Sequence, residues 1–411
     1  MAYARNIVLL AIAAACFAAC EGSEPVTGGT GGSGAQPAGG GGDGGLGGTS
    51  AGGMGGSGGM AGGGGAGGQL EPYGLTCTWS IERDGLSRPR VTTDASGDIY
   101  VTGWEDTSVT ELVVKYDGNG TVLWTYDTTG AGSARSNALV VDGSGNTFIA
   151  GELTGAVNFG GTTFDVGGGE GGFVAKLDPA GNHVYSVGLT GTDLARIAGV
   201  GIDGQGNAYI AGWFLGTADF GGNQLVEVGS HDIVTAKLDP AGNVLWTQHH
   251  ASTDTEAPTA IAVAPNGDFV VAGSLHGSQL DFGQGALPYA GSIDIFVAKM
   301  NSAGVPQWSK SFGDDEWQPG AQVALSAQGD IALAGSGQGS VDFGGGPLPG
   351  ADYGSAYVAV LDGDGNHRYS HGYINDSMPL QGVAFDGAGN LFVTGDFDDP
   401  MTIAGKDLAV A

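Results

Sequence analysis

The chain has 411 residues, 84 of them glycine, and carries 43 acidic against 13 basic residues, a formal charge of -30. That balance excludes binding to nucleic acid or to anionic lipid headgroups through a basic patch and suits solubility or divalent cations. The uneven spread of glycine points to one repeat array behind a long tail rather than several ordinary domains.

Residues 1–19 read as an export signal. Arg5 is followed by an apolar run at 7–15 that is too short to span a bilayer. The segment Phe17-Ala18-Ala19-Cys20 resembles a bacterial lipobox, which implies that Cys20 is lipidated and becomes the mature N-terminus; ordinary cleavage after Ala19 is the other reading. Glu21 after the cysteine resembles the outer-membrane sorting signal. With Cys16 removed and Cys20 acylated, only Cys77 would remain in the folded part, so no disulfide framework is expected. Residues 20–69 form a tether: 25 of the 41 residues at 28–68 are glycine, and the segment cannot bury enough apolar surface to fold. A coil of this kind spans roughly 35 to 42 Å, enough to hold a domain clear of a membrane.

From residue 70 to 411 the chain repeats. A turn of the form Asp-x-x-Gly-Asn/Asp, with variants, recurs at Gly97, Gly145, Gly206, Gly267, Gly329 and Gly389, and a second glycine follows six residues later each time, at Gly103, Gly151, Gly212, Gly273, Gly335 and Gly395. Each unit reads as four short strands rich in β-branched and aromatic residues. The anchor turn joins the first two strands, and turns such as DPAGN (178–182, 239–243) join the last two. The related DGDGN (362–366) is not an EF-hand loop, because His367 and Tyr373 stand where Gly and Glu are required. Four strands per unit, six times, predicts an all-β, six-bladed β-propeller. Trp79, Trp124, Tyr185, Trp246, Trp308 and Tyr369 recur at the fourth strand and are expected to pack between blades. The ending DLAVA (407–411) aligns with a third strand, and 75–80 with a fourth. The N-terminal strand is therefore expected to complete the last blade and remove an open edge.

Three motifs, ADFGG (218–222), DIFVAK (294–299) and LDPAGNVLW (238–246), resemble the bacterial propeller repeats known as SBBP repeats. The resemblance covers about residues 75–411 and implies a propeller fold and a cell-envelope location. It implies no activity.

Sequence variation concentrates on the face carrying the second-to-third loops and the connections between units, where binding residues are expected. Thirteen residues before the anchor glycine stand Asp84, Asp193, Asp254, Glu316 and Asp376, with Gly132 in the remaining unit. Two readings are open: locally hydrogen-bonded turn residues, or an acidic ring able to take Ca²⁺. Lys115, Lys176, Lys237 and Lys299 share one position on the third strand and are expected to pair with turn aspartates. His249 and His250, placed on a connection between units beside Asp254 and Glu256, form the best local cluster for acid–base or metal chemistry; Trp317 and Tyr373 are further binding-loop candidates. No nucleophile elbow, phosphate loop or HExxH spacing is present. The expected function is a monomeric, lipid-anchored, non-catalytic binding or scaffold module for a protein or glycan, touching the membrane only through its anchor. The alternative is a propeller hydrolase or lyase working at the channel mouth.

Overall fold

The structure, a computed structural model, describes residues 86–105, 112–191, 193–350, 354–374 and 380–395, with the short strands Ile7–Leu9, Gln69–Leu70, Leu75–Thr76, Met401–Ile403 and Lys406–Leu408. Among the described residues every regular element is a strand. They form successive antiparallel units. Unit one holds Leu86–Thr93, Ile99–Glu105, Leu112–Tyr116 and Val122–Asp127; unit two holds Ser133–Val141, Thr147–Asn158, Thr163–Leu177 and His183–Gly191. Unit three holds Leu194–Ile202, Ala208–Leu215, Asp232–Leu238 and Val244–His250, and unit four Glu256–Val263, Phe269–Leu275, Asp294–Met300 and Pro306–Phe312. Unit five holds Gln322–Leu325, Ile331–Gly337, Ser355–Leu361 and His367–Ile374. In unit six Leu380–Phe385 pairs with Leu391–Gly395. The innermost strands touch one another in succession from unit one to unit six, a propeller-like arrangement.

The recurring turns are held as their residues require. Asp142 accepts the backbone N–H groups of Ser144 and Asn146 at 2.9 Å, and Gly145 adopts φ +81°, a conformation that a side chain would strain. The DPAGN hairpins repeat the device: Asp178 and Asp239 each accept two backbone N–H groups and the amide of Asn182 or Asn243.

The core lies between units rather than within them. One cluster joins units two and three through Phe148, Leu189, Ile197 and Phe214; another joins units three and four through Tyr209, Ile233, Leu275 and Phe296. Full burial of each such side chain contributes about 1.5–3 kcal/mol. The second-to-third loops carry the inserts NFGG (158–161), DFGG (219–222, 342–345) and DFGQ (281–284), which differ from the expected variable binding loops: Phe159, Phe220, Phe282 and Phe343 are at most 3 % exposed. They are core plugs. Phe159 packs at 4.5 Å on Phe173, and Phe343 at 5.3 Å on Tyr357, which occupies the corresponding strand position.

The recurring strand positions lock neighbouring units together. Lys176 Nζ donates to Pro240 O (3.2 Å) and Lys299 Nζ to Gly363 O (2.7 Å), each in the next unit's outer hairpin. Trp124 and Trp308 send their indole N–H to Pro179 O and Gly363 O in the same way, so the aromatics do pack between units. The expected Lys–Asp pairs occur at Lys115 with Asp94 (3.2 Å) and at Lys237 with Asp203 (3.6 Å).

Leu75–Thr76 pairs with Gln69–Leu70 and Lys406–Leu408 with Met401–Ile403, while Ile7–Leu9 lies parallel along 391–393. The predicted closure sets 75–80 beside 407–411; the described parts, Leu75–Thr76 and Lys406–Leu408, have these other strands as partners, and residues 77–80 and 409–411 lie outside the described residues, as do Cys20 and most of the tether.

Candidate functional site

The second glycine of each repeat lies against the entry end of the inner strand, the mouth of the propeller-like array. A Cβ on Gly151 would stand 1.8 Å from the carbonyl oxygen of Arg135; on Gly212 it would stand 2.3 Å from that of Arg196. Only glycine lets the inner strand come so close. At the same place the inner strand bulges: Ser136 and Ala138 oppose consecutive residues of the second strand, leaving Asn137 extra, and Ile197 and Gly199 leave Ala198 extra. A bulge bends the strand and re-aims neighbouring side chains. Here the extra residue turns toward the next unit: Asn137 Nδ2 donates to Ile197 O at 3.1 Å, and Thr259, extra in unit four, donates to Ala321 O at 2.7 Å. The residue two places before it stands at this mouth, and in units two and three it is a partly exposed arginine.

Arg135 and Arg196 enter one chain of charges. Arg196 Nε lies 2.8 Å from Glu152 and its Nη2 2.6 Å from Glu170, while Arg135 Nη1 lies 3.6 Å from the other oxygen of Glu152. Glu152 follows Gly151 directly and is buried; Glu170 donates its backbone N–H to Asp193 O at 3.0 Å, which ties unit two to the entry of unit three. Trp213, the cross-strand partner of Arg196, is part-exposed, with the Arg196 guanidinium 5.5 Å and the His231 ring 4.4 Å from its ring centre. Burial holds His231 and His276 below the ordinary imidazole pKa, and Glu227 partly offsets this for His231. Both are therefore neutral near pH 7.

Behind this mouth, at the seam of units three and four, lies a second polar group. Asp232, at the start of a third strand and fully buried, accepts His249 Nε2 at 2.6 Å and the backbone N–H groups of Val228 and Ser252. Glu256, at the start of the next inner strand, is also fully buried, and neither carboxylate oxygen has a hydrogen-bond partner. Burial, then the charges of Asp254 and Asp232, push its pKa up to about 7. The Ser252 side chain partly offsets this rise. In unit five Gln318 takes the same position, and its amide donates to Asp314 (2.6 Å) and Gln338 O (2.7 Å).

Several sequence-predicted residues stand elsewhere than expected. His249 and His250 lie on the outer strand of unit three, not on a connection between units. His250 is buried, shares a 3.2 Å hydrogen bond with Thr235, and is pushed down to about 4 by burial and by His249. Tyr373 is 7 % exposed within the outer strand of unit five and packs in the core between units five and six, because strand alternation turns it inward. Trp317 is 45 % exposed on the connection between units four and five, as expected. Asp193, Asp254 and Glu316 fall on three successive connections, Asp84 and Asp376 lie outside the described residues, and among the described residues no three His, Cys, Asp or Glu side chains converge on a metal position. The Arg135–Glu152–Arg196–Glu170 chain went unseen in the sequence. Its signal was arginine ten residues before the anchor glycine in two consecutive units of a chain with only 13 basic residues.

A shallow depression of about 210 Å³ lies farther out, between the outer strand of unit two and the Thr217–Phe220/Asn223–Val226 hairpin of unit three. It is smaller than the 300–1,000 Å³ typical of ligand pockets.

No family model matches the chain. Regulatory protein FlaEY of Caulobacter vibrioides is 26 % identical over 192 residues, 45 % of this chain and 20 % of that protein, so the match spans about a fifth of FlaEY. Among solved structures, hydrazine synthase of Kuenenia stuttgartiensis is similar with a TM-score of 0.43 at 14 % identity, covering 79 % of this chain and 77 % of that one. A mutant of Synechocystis apocarotenoid oxygenase reaches 0.39 at 10 % identity over 74 % and 69 % of the two chains. An α-L-arabinofuranosidase from Lactobacillus brevis reaches 0.33 at 13 % identity over 75 % and 93 %. At these scores the likenesses carry no argument about activity.

Proposed function

We propose that the chain is a lipid-anchored cell-envelope propeller of the SBBP-repeat type, with six blades, that binds a partner at its channel mouth without catalysis. The observation that carries this reading is the Arg135–Glu152–Arg196–Glu170 chain against Trp213. Its charges are paired and its geometry is fixed from four strands of two units, which suits recognition rather than turnover. The lipobox-like segment ending at Cys20 and the glycine-rich tether support an anchor that holds this mouth away from the membrane. The hydrolase or lyase reading draws on Glu256, a carboxylic acid kept half neutral near pH 7, but full burial denies it a substrate.

The anchoring half is tested by fractionation: Cys20→Ser should move the chain from the membrane to the soluble fraction, and retention of the variant in the membrane would refute it. Blade completion by the N-terminal strand is tested by deleting residues 75–80. The deletion should lower the melting midpoint of the whole domain, and an unchanged midpoint would count against closure.

A further inference from the structure

Three features of the mouth together specify a ligand chemistry, an inference that rests on the binding reading above. The guanidinium of Arg196 is already committed to two carboxylates, Glu152 and Glu170, with the bond to Glu170 at 2.6 Å. It cannot also clamp a carboxylate or phosphate bidentately, and a chain of net charge -30 disfavours anions. The carboxylates are likewise engaged: Glu152 is shared by two arginines, and Asp193, on the connection between units two and three, has a partner of its own. A cation would therefore have to break an existing pair. What the site retains is a fixed row of alternating donors and acceptors with lone pairs to spare, beside a part-exposed indole and a neutral imidazole.

That combination matches a molecule with hydroxyl groups around its edge and a C–H face. Paired hydroxyls bridge a guanidinium N–H and a carboxylate oxygen without displacing either charge, and the C–H face covers an aromatic ring. Trp317, 45 % exposed on the connection between units four and five, offers a second indole. We propose that Trp213, Arg196, Glu152, Glu170 and His231 form a binding subsite for a neutral, pyranose-based oligosaccharide, with Trp317 as an outlying platform.

The test uses the full chain carrying Cys20→Ser and soluble hexaoses of β-1,4-linked glucose, N-acetylglucosamine, xylose and mannose. Binding is read by titration calorimetry and tryptophan emission, and each variant's melting midpoint is recorded. At least one hexaose should bind with one-to-one stoichiometry and a Kd below about 1 mM. Trp213→Ala should weaken it roughly tenfold or more, Trp213→Phe by less, and Arg196→Lys should weaken it by removing the planar guanidinium that holds Glu152 and Glu170 in place. Leu245→Ala, on the exposed outer strand of unit three, should leave binding unchanged. If Trp213→Ala melts early, the comparison of Trp213→Phe with the parent decides. No heat or emission change with any hexaose at about 5 mM, or binding indifferent to Trp213 and Arg196, overturns the saccharide subsite. A charged uronate oligomer binding in place of the neutral ones also overturns it. Should the hexaoses fail while a protein or peptide from the envelope binds in a Trp213-dependent manner, the saccharide class falls and the binding function stands. Failure of both removes the two together.

Discussion

Replacing Glu256 by glutamine should flatten the pH dependence of stability on the alkaline side. Burial moves the folded-state pKa from the ordinary 4.5 to about 7. The folded pKa is raised, so the neutral acid's contribution is fully present below pH 4.5 and is lost as pH rises through 7. A shift of that size corresponds to about 3 kcal/mol, the cost of ionising a fully buried, unpartnered carboxylate beside Asp254 and Asp232. The glutamine copies unit five, where Gln318 holds the same place without a charge. Urea unfolding followed by tryptophan emission at pH 5, 7 and 8.5 measures the difference, and other titrating groups cancel between the two proteins. Relative to the parent, Glu256→Gln should gain about 2.5 kcal/mol between pH 5 and pH 8.5, or about 3–4 °C in Tm for a domain of this length. Parallel pH profiles for parent and variant would refute the reasoning, because Glu256 would then not titrate across that interval.

Gly212→Ala should cost roughly 2–4 kcal/mol and weaken any ligand that uses Arg196, since the new methyl meets the Arg196 carbonyl at 2.3 Å. A urea midpoint within error of the parent would mean that the bulge relaxes freely. In acid, Asp178, Asp239 and Asp386 have pKa values lowered by the Asn side chain and then by backbone N–H groups. Their contribution is present above pH 3.8 and lost as pH falls through the lower folded value. Replacing all three by asparagine should therefore blunt the steep loss of stability below pH 4, measured by melting scans. His250, moved from 6.5 to about 4, favours the fold above pH 6.5 and withdraws that support as pH falls to 4; His250→Gln should remove this slope.

The repeat was legible because it is written in turn chemistry, which is local. Asp142, Gly145 and Asn146 lie within five residues, and their hydrogen bonds follow from that spacing. The second glycine was visible as a pattern, but its cause was not: the carbonyl it must clear belongs to the inner strand, and a bulge appears only once strands are paired. The mouth was harder still. Glu152, Glu170 and Arg196 come from three strands, and acidic residues at turn positions drew attention to Asp254 and Glu316 instead. Tyr373 and His250 were misplaced for a simpler reason. A strand sends alternate residues inward, and the strands here run further into the supposed connections than the turn residues suggested.

The bulge separates two tasks that usually compete. Its extra residue, Asn137 or Thr259, bonds to the neighbouring unit and maintains the ring, while the residue two places earlier, Arg135 or Ala257, stands at the mouth. Arginine stands there in units two and three, alanine in unit four and proline in unit five. A lineage carrying this repeat could thus exchange mouth residues blade by blade, changing what is recognised while each blade keeps its grip on the next.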